Sequence, residues 1–207
     1  MSAIKLYRHP LSGHAHRVEL LLSMLNINAE IIDVDLLAGE HKSPEFLKKN
    51  PNGVVPVLED NGTYFYESTA ILVYLASKYD PARRWYPIGP EVQAEIQQIL
   101  AMASGPLAAG PGAARLITLF GADLDPETTI AAAHGVLSTL EQRLQNKEWL
   151  AGHHATIADL AAYAYIAHAP EGNVTLEAYP LLRSWLARVE ALPGFIPMQK
   201  SAVGLAA

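Results

Sequence analysis

At 207 residues, half of them hydrophobic and only 17% charged, the chain can bury a proper core in one large or two small domains. A formal charge of -6 without clustered Lys and Arg excludes nucleic-acid binding, no apolar run reaches the roughly 18 residues of a membrane span, and the N-terminus, Met1 to Tyr7, lacks a signal peptide's apolar core, so a soluble cytoplasmic protein is expected. There is no cysteine, which rules out attack by a protein thiolate, mixed disulfides on the chain, structural disulfides and Cys-ligated zinc.

Ile4 to Tyr7 reads as a short apolar strand in which Tyr7 is a core aromatic, and His9-Pro10-Leu11-Ser12-Gly13 is a loop with two breakers. A helix is predicted from about His14 to Asn26, with Val18, Leu21, Leu22 and Leu25 as its apolar stripe. Ser12 stands where a helix N-cap belongs. Arg17 either supports a site electrostatically or decorates the helix. His9, His14 and His16 do not make a metal centre: the latter pair at i and i+2 face different ways, and no carboxylate or cysteine joins them at ligand spacing. His9 can nevertheless border whatever Ser12 serves.

Ala29 to Asp35 is the second strand, followed by the neighbouring basic pair His41 and Lys42 and a short helix ending near Lys49. Such a pair suits an anion, or is simply an exposed charged loop. The stretch from Asn50 to Ser68 then reads as loop, strand, hairpin, strand and helix start. Val54 to Leu58 is β-branched, Asp60-Asn61-Gly62 is a turn, and Thr63 to Tyr66 is again strand-like. Pro56 cannot donate to a sheet ladder, so it belongs at an edge, bulge or turn, a cis bond being one way to fit it. Val55 before it is held extended, leaving a backbone N–H and C=O to pair with a peptide-like ligand lying antiparallel. Glu67 and Ser68 open a helix, where backbone amides, a hydroxyl and an acid together suit a ligand end bearing both carboxylate and ammonium.

That helix carries Ala70, Ile71, Leu72, Tyr74 and Leu75 and stops near Asp80-Pro81. The first half is thus β-α-β-α-β-β-α over residues 1–80, residues 81–90 form a Pro- and Gly-containing linker, and residues 91–207 lack strand alternation and are all-helical. Val92, Ile96, Ile99 and Leu100 give one stripe, which the Gly- and Pro-rich segment Ser104 to Gly112 is expected to interrupt. Pro126 to Asn146 is another helix. Thr156-Ile-Ala-Asp159 is a capping box, which makes Asp159 a stability residue. Leu160 to His168 is apolar nearly all round and therefore buried, and Leu181 to Leu192 is the last clear helix.

Val55-Pro56 followed by Glu67-Ser68, with a hydroxyl residue beyond the first strand, resembles the cytosolic glutathione transferases over nearly the whole chain, most closely their serine-dependent branch with the phi and theta enzymes. The resemblance implies an α/β plus all-α fold, a thioredoxin-like domain followed by a helical one. It implies that the Ser12 hydroxyl donates to the sulfur of glutathione, at a helix N-terminus that lowers a free-thiol pKa of about 8.5 toward neutrality. Another branch uses a tyrosine at the end of the first strand, which makes Tyr7 the rival. By the same resemblance His41 and Lys42 hold the glycine carboxylate, Val55 and Pro56 the peptide backbone, and Glu67 and Ser68 the γ-glutamyl end. General domain geometry assigns Leu11, Met102, Pro106, Arg115 and Tyr165 to a pocket for a hydrophobic electrophile.

The implied activity is detoxifying conjugation, with glutathione as cosubstrate, no cofactor or metal, and a homodimer as the assembly; hydroperoxide reduction is open to the same site. The alternative is a non-catalytic module that keeps the fold to bind a partner or ligand. A glutathione-dependent isomerase is disfavoured, because the serine-cysteine loop of that branch is absent.

Overall fold

The computed structural model describes residues 4–207; residues 1–3, the edge of the expected first domain and the start of the stretch compared with a signal peptide, lie outside it. Strands β1 (Ile4–Arg8), β2 (Ala29–Asp33), β3 (Val57–Asp60) and β4 (Thr63–Tyr66) form one mixed sheet in the order β2-β1-β3-β4. β1 runs parallel to β2 and antiparallel to β3, and β3 antiparallel to β4. Helix α1 (Gly13–Met24) makes the crossover that a parallel pair requires, α2 (Pro44–Leu47) leads toward β3, and α3 (Ser68–Tyr79) follows β4. The expected βαβαββα order holds.

Strand alternation decides which way each residue of β1 points. Ile4 and Leu6 face the main core with Val18, Leu21, Leu58, Ile71, Leu72 and Leu75. Tyr7 faces the other side, against the small cluster of Val34, Phe46 and Val57. β3 begins at Val57 and not at Val54, because the ladder can start only after Pro56; the Val55-Pro56 bond is cis. The hairpin turn has Asn61 and Gly62 at φ 51° and 77°, and buried Asp60 at its base accepts from Tyr74, Lys78 and Tyr79 of α3.

The helical half comprises α4 (Pro90–Ser104), α5 (Ala113–Phe120), α6 (Pro126–Arg143), α7 (Ile157–Ala167) and α8 (Pro180–Glu190). The Ser104–Gly112 segment interrupts α4 as its composition predicts, but only at Gly105, where φ -103° and ψ -101° leave the helix. After a turn at Gly105 the chain stays helical and passes through a π-helical turn, Ala108–Gly112, straight into α5. Pro111 sits inside that turn, where the widened coil accommodates a residue lacking an N–H that would break a regular α-helix. Gly110 is there for contact: a Cβ would stand 2.9 Å from Ala133 Cα of α6.

Helix α7 is the buried centre. Its capping box is formed as expected, and fully buried Asp159 also accepts from the Leu150 N–H and from Trp185 Nε1 of α8. One continuous apolar core joins α7 and α4 to α1 and α3, so the helical half packs directly on the sheet half.

Candidate functional site

A cavity of about 440 Å³ opens where the two halves meet. The β1–α1 loop supplies His9, Leu11 and Ser12, α1 supplies His14, and the segment before β3 supplies Val54 and Val55. Leu36 and His41 close one side. The helical half contributes Ala108, Gly112, Arg115, Leu116, Phe120 and Tyr165.

Ser12 is the N-cap of α1, with φ -86° and ψ 112°, and its Oγ accepts the Ala15 N–H at 3.2 Å. Capping uses only a lone pair, so the hydroxyl hydrogen remains available to donate into the cavity, and the two roles read from the sequence are compatible. The loop around it is tightly tied. The Ser12 N–H donates to His9 O at 2.9 Å, and the Leu11 N–H to His9 Nδ1 at 3.3 Å. Arg115 Nη1 donates to the Leu11 carbonyl at 2.6 Å, while its Nε donates to Glu171, itself bonded to His168 Nδ1 at 2.7 Å and to the Ser201 N–H at 3.0 Å. Residue 13 must be glycine-sized, since a Cβ would come within 2.8 Å of the Tyr165 ring.

Tyr7 lies outside this cavity lining. Its hydroxyl donates to Glu59 Oε2 at 3.0 Å on the face of the sheet turned away from the main core, and burial followed by that bond pushes its pKa further above the ordinary tyrosine value. Burial holds His14 down to about 3 and His9 below its usual range, so both rings bordering Ser12 are neutral near pH 7. His14 packs edge-on against Tyr165, with ring centroids 5.1 Å apart.

Fully buried Asn50 shapes the next segment: its Nδ2 donates to Val54 O at 2.8 Å, and its Oδ1 accepts from the Asn52 N–H at 3.0 Å. The Val55 N–H and C=O make no hydrogen bond among the described residues, leaving an extended edge open. Lys42 Nζ donates to Gly53 O at 2.7 Å and so braces this loop; it lies beside the cavity and not in its lining, as does Pro56. His41 does line the cavity, with a buried and unpartnered Nδ1.

Glu67 has φ 64° and ψ 103°, a left-handed backbone that costs a non-glycine residue on the order of 1 to 3 kcal/mol and accumulates at functional sites. It turns the chain into α3, whose first-turn N–H groups have no partner within the helix. Ser68 begins that helix and accepts from Arg17 Nη1 at 3.2 Å, with His14 Nδ1 at 3.4 Å. Ser68 therefore adjoins the cavity through His14 without lining it, while Glu67, also outside the lining, accepts from Asn52 Nδ2 at 3.4 Å.

Of the residues assigned to an electrophile pocket, Leu11, Arg115 and Tyr165 are in the lining; Met102 and Pro106 are not. Met102 turns into the main core, and Pro106 is exposed before the π turn. Ala108, Gly112, Leu116 and Phe120 stand there instead. Leu116 and Phe120, four apart on α5, were visible in the sequence as an apolar pair on one helical face. Among the described residues there is no group of three or more His, Cys, Asp or Glu able to hold a metal, and no helix long and apolar enough to cross a membrane.

The chain matches the family model for the glutathione S-transferase N-terminal domain over residues 2–77 and that for the C-terminal domain over residues 125–193. It is 33% identical to glutathione S-transferase theta-1 of Mus musculus over 201 residues, covering 92% of this chain and 84% of that protein. Among solved structures, a glutathione S-transferase from Pseudomonas fluorescens superposes with a TM-score of 0.90 at 32% identity, covering 96% of this chain and all of that one. A possible glutathione S-transferase from Rhodopseudomonas palustris gives 0.87 at 33% identity, over 97% of this chain and 100% of that one.

Proposed function

The chain belongs to the glutathione transferase family, and we propose that it is a serine-type member in which Ser12 stabilises the thiolate of glutathione for attack on a hydrophobic electrophile. Glutathione is the cosubstrate. The sulfur lone pair forms the new carbon–sulfur bond, and the leaving group departs with its bonding electrons or, in an epoxide, takes up a proton. No protein-derived covalent intermediate is needed; the protein supplies orientation and a stabilised nucleophile.

The observation that carries the proposal is one cavity whose wall holds Ser12, His41 and Val55 from the sheet half and Arg115 and Tyr165 from the helical half. In this assignment glutathione lies extended, its backbone against Val55 beside Pro56. Its glycine carboxylate is near His41 and Lys42, its γ-glutamyl end at Glu67 and Ser68, and its sulfur at Ser12. The electrophile takes the apolar side made by Leu11, Leu116 and Phe120. The same thiolate can attack a hydroperoxide oxygen, releasing the alcohol, with a second glutathione closing the disulfide and releasing water.

The division into residues 1–80 and 91–207, with 81–90 as linker, is part of this proposal; helix α3 ends at Tyr79 and α4 begins at Pro90. So is a homodimer, for which exposed Tyr66, Ala70, Gln97 and Ala101 offer weakly charged surface on β4, α3 and α4. Light scattering at micromolar concentration tests it, and a mass near 22.4 kDa contradicts it. Calorimetry with glutathione, followed by turnover on aryl halides, isothiocyanates, epoxides and hydroperoxides, tests the function. Binding with turnover on at least one class is expected, and no binding contradicts it.

A further inference from the structure

Two arginines at the junction of the two halves are almost wholly buried, Arg17 at 0% and Arg115 at 2% exposure, and their surroundings differ. Arg115 is paired with the carboxylate of Glu171. Arg17 has no carboxylate among the described residues. Its Nη1 donates to Ser68 Oγ at 3.2 Å, its Nη2 reaches Ala103 O at 3.5 Å, and the guanidinium stands 5.7 Å from the centroid of the Tyr165 ring. Its Nε has no partner. Neutral His14, the other polar neighbour of Ser68, supplies no counter-charge.

A buried cation without an anion is strongly unfavourable, and proteins do not ordinarily hold one unless something completes the pair. Ser68 lies at the N-terminus of α3, where free N–H groups favour an anion. By donating to Ser68 Oγ, Arg17 occupies a lone pair of that hydroxyl and leaves its hydrogen for another acceptor. The competing acceptor, His14 Nδ1, is at 3.4 Å, longer than a good hydrogen bond from a hydroxyl.

We propose that Arg17 is half of an ion pair that the ligand completes: its counter-ion is the α-carboxylate of the γ-glutamyl residue of glutathione, held through Ser68. This presupposes the glutathione site proposed above. Arg17 is then a positioning residue for that carboxylate, and the wall around it is selective for the charge of the ligand's γ-glutamyl end.

Calorimetry on the full chain with two tripeptides tests this. One is glutathione; the other is γ-aminobutyryl-cysteinyl-glycine, which keeps the ammonium, thiol and glycine carboxylate but lacks the α-carboxylate. Wild type is expected to prefer glutathione by about a hundredfold, and Arg17→Met by about tenfold or less, in line with loss of a charge-assisted contact. Ligand-free Arg17→Met is expected to melt at or above the wild-type temperature, because the substitution removes an uncompensated buried charge. A merely structural arginine would show the opposite pair of results, lowered melting with the preference intact, and that outcome overturns the proposal. Should Arg17→Met not fold, Arg17→Gln carries the same comparison, and an undiminished preference there overturns it equally. A wild type that binds the two tripeptides alike overturns this assignment alone, whereas a wild type that binds neither contradicts the function itself.

Discussion

Arg115 Nη1 stands 2.6 Å from the carbonyl oxygen of Leu11, so a residue of the helical half holds the loop that carries Ser12. The same guanidinium is anchored by Glu171, whose other carboxylate oxygen takes bonds from His168 and from the backbone of Ser201. The C-terminal stretch thus ties to the Ser12 loop through two buried side chains. Arg115→Met leaves Glu171 buried without its arginine, which costs about 3 to 5 kcal/mol. Urea denaturation should report that loss. Turnover is expected to fall by about tenfold in the folded variant as Ser12 loses its support, with a smaller change in the Michaelis constant for glutathione. Unchanged stability and turnover would show that the tether is idle.

Acid should destabilise this protein well before its carboxylates titrate. Burial above all, with the nearby charges of Arg17 and His168 adding to it, holds His14 down to about 3 and His16 to about 4, both from an ordinary 6.5. Burial likewise lowers His168, partly offset by Glu171. A histidine with a depressed folded pKa is neutral when folded and takes up a proton on unfolding. Its contribution is therefore complete above pH 6.5 and is lost as pH falls toward the folded value. For His16 alone the loss by pH 4 is about 3 kcal/mol at 1.36 kcal/mol per pKa unit. Urea midpoints should be flat above neutrality and drop between pH 6.5 and 4; a midpoint independent of pH over that interval contradicts the buried, neutral assignment.

Ser68→Ala removes the hydroxyl between Arg17 and the proposed carboxylate site. That contact is present in ground and transition states alike, so the apparent Michaelis constant for glutathione should rise by about tenfold or more while turnover changes little. Initial-rate kinetics over varied glutathione decides it, and an unchanged constant removes Ser68 from the site.

Much of this arrangement is legible in the sequence, because short-range chemistry fixes it. Ser12 before an apolar helical stripe, Asn61-Gly62 between strands and Thr156 with Asp159 each announce a local structure that the fold keeps. Other features depend on long-range contact. Pro56 moves the start of β3 to Val57, because only a partner strand reveals which N–H groups the ladder needs. Gly110 and Pro111 look like helix breakers, yet the close approach of α6 at Ala133 makes the glycine a packing residue and the proline part of a π turn. General domain geometry points to Met102 and Pro106, whereas the phase of the helix after that turn brings Leu116 and Phe120 to the cavity. Arg17 offered two readings on sequence; its complete burial against Ser68 excludes surface decoration.

The central claim is that Ser12, not Tyr7, activates the thiol, and turnover at saturating glutathione in Ser12→Ala beside Tyr7→Phe measures it most directly. Loss of one hydrogen bond to a charged sulfur, about 1.5 to 3 kcal/mol, predicts a fall of roughly tenfold to a hundredfold for Ser12→Ala. Tyr7→Phe, which loses the bond of a hydroxyl already committed to Glu59 and outside the cavity lining, is expected to turn over near the wild-type rate. Activity retained in Ser12→Ala and abolished in Tyr7→Phe would contradict the account.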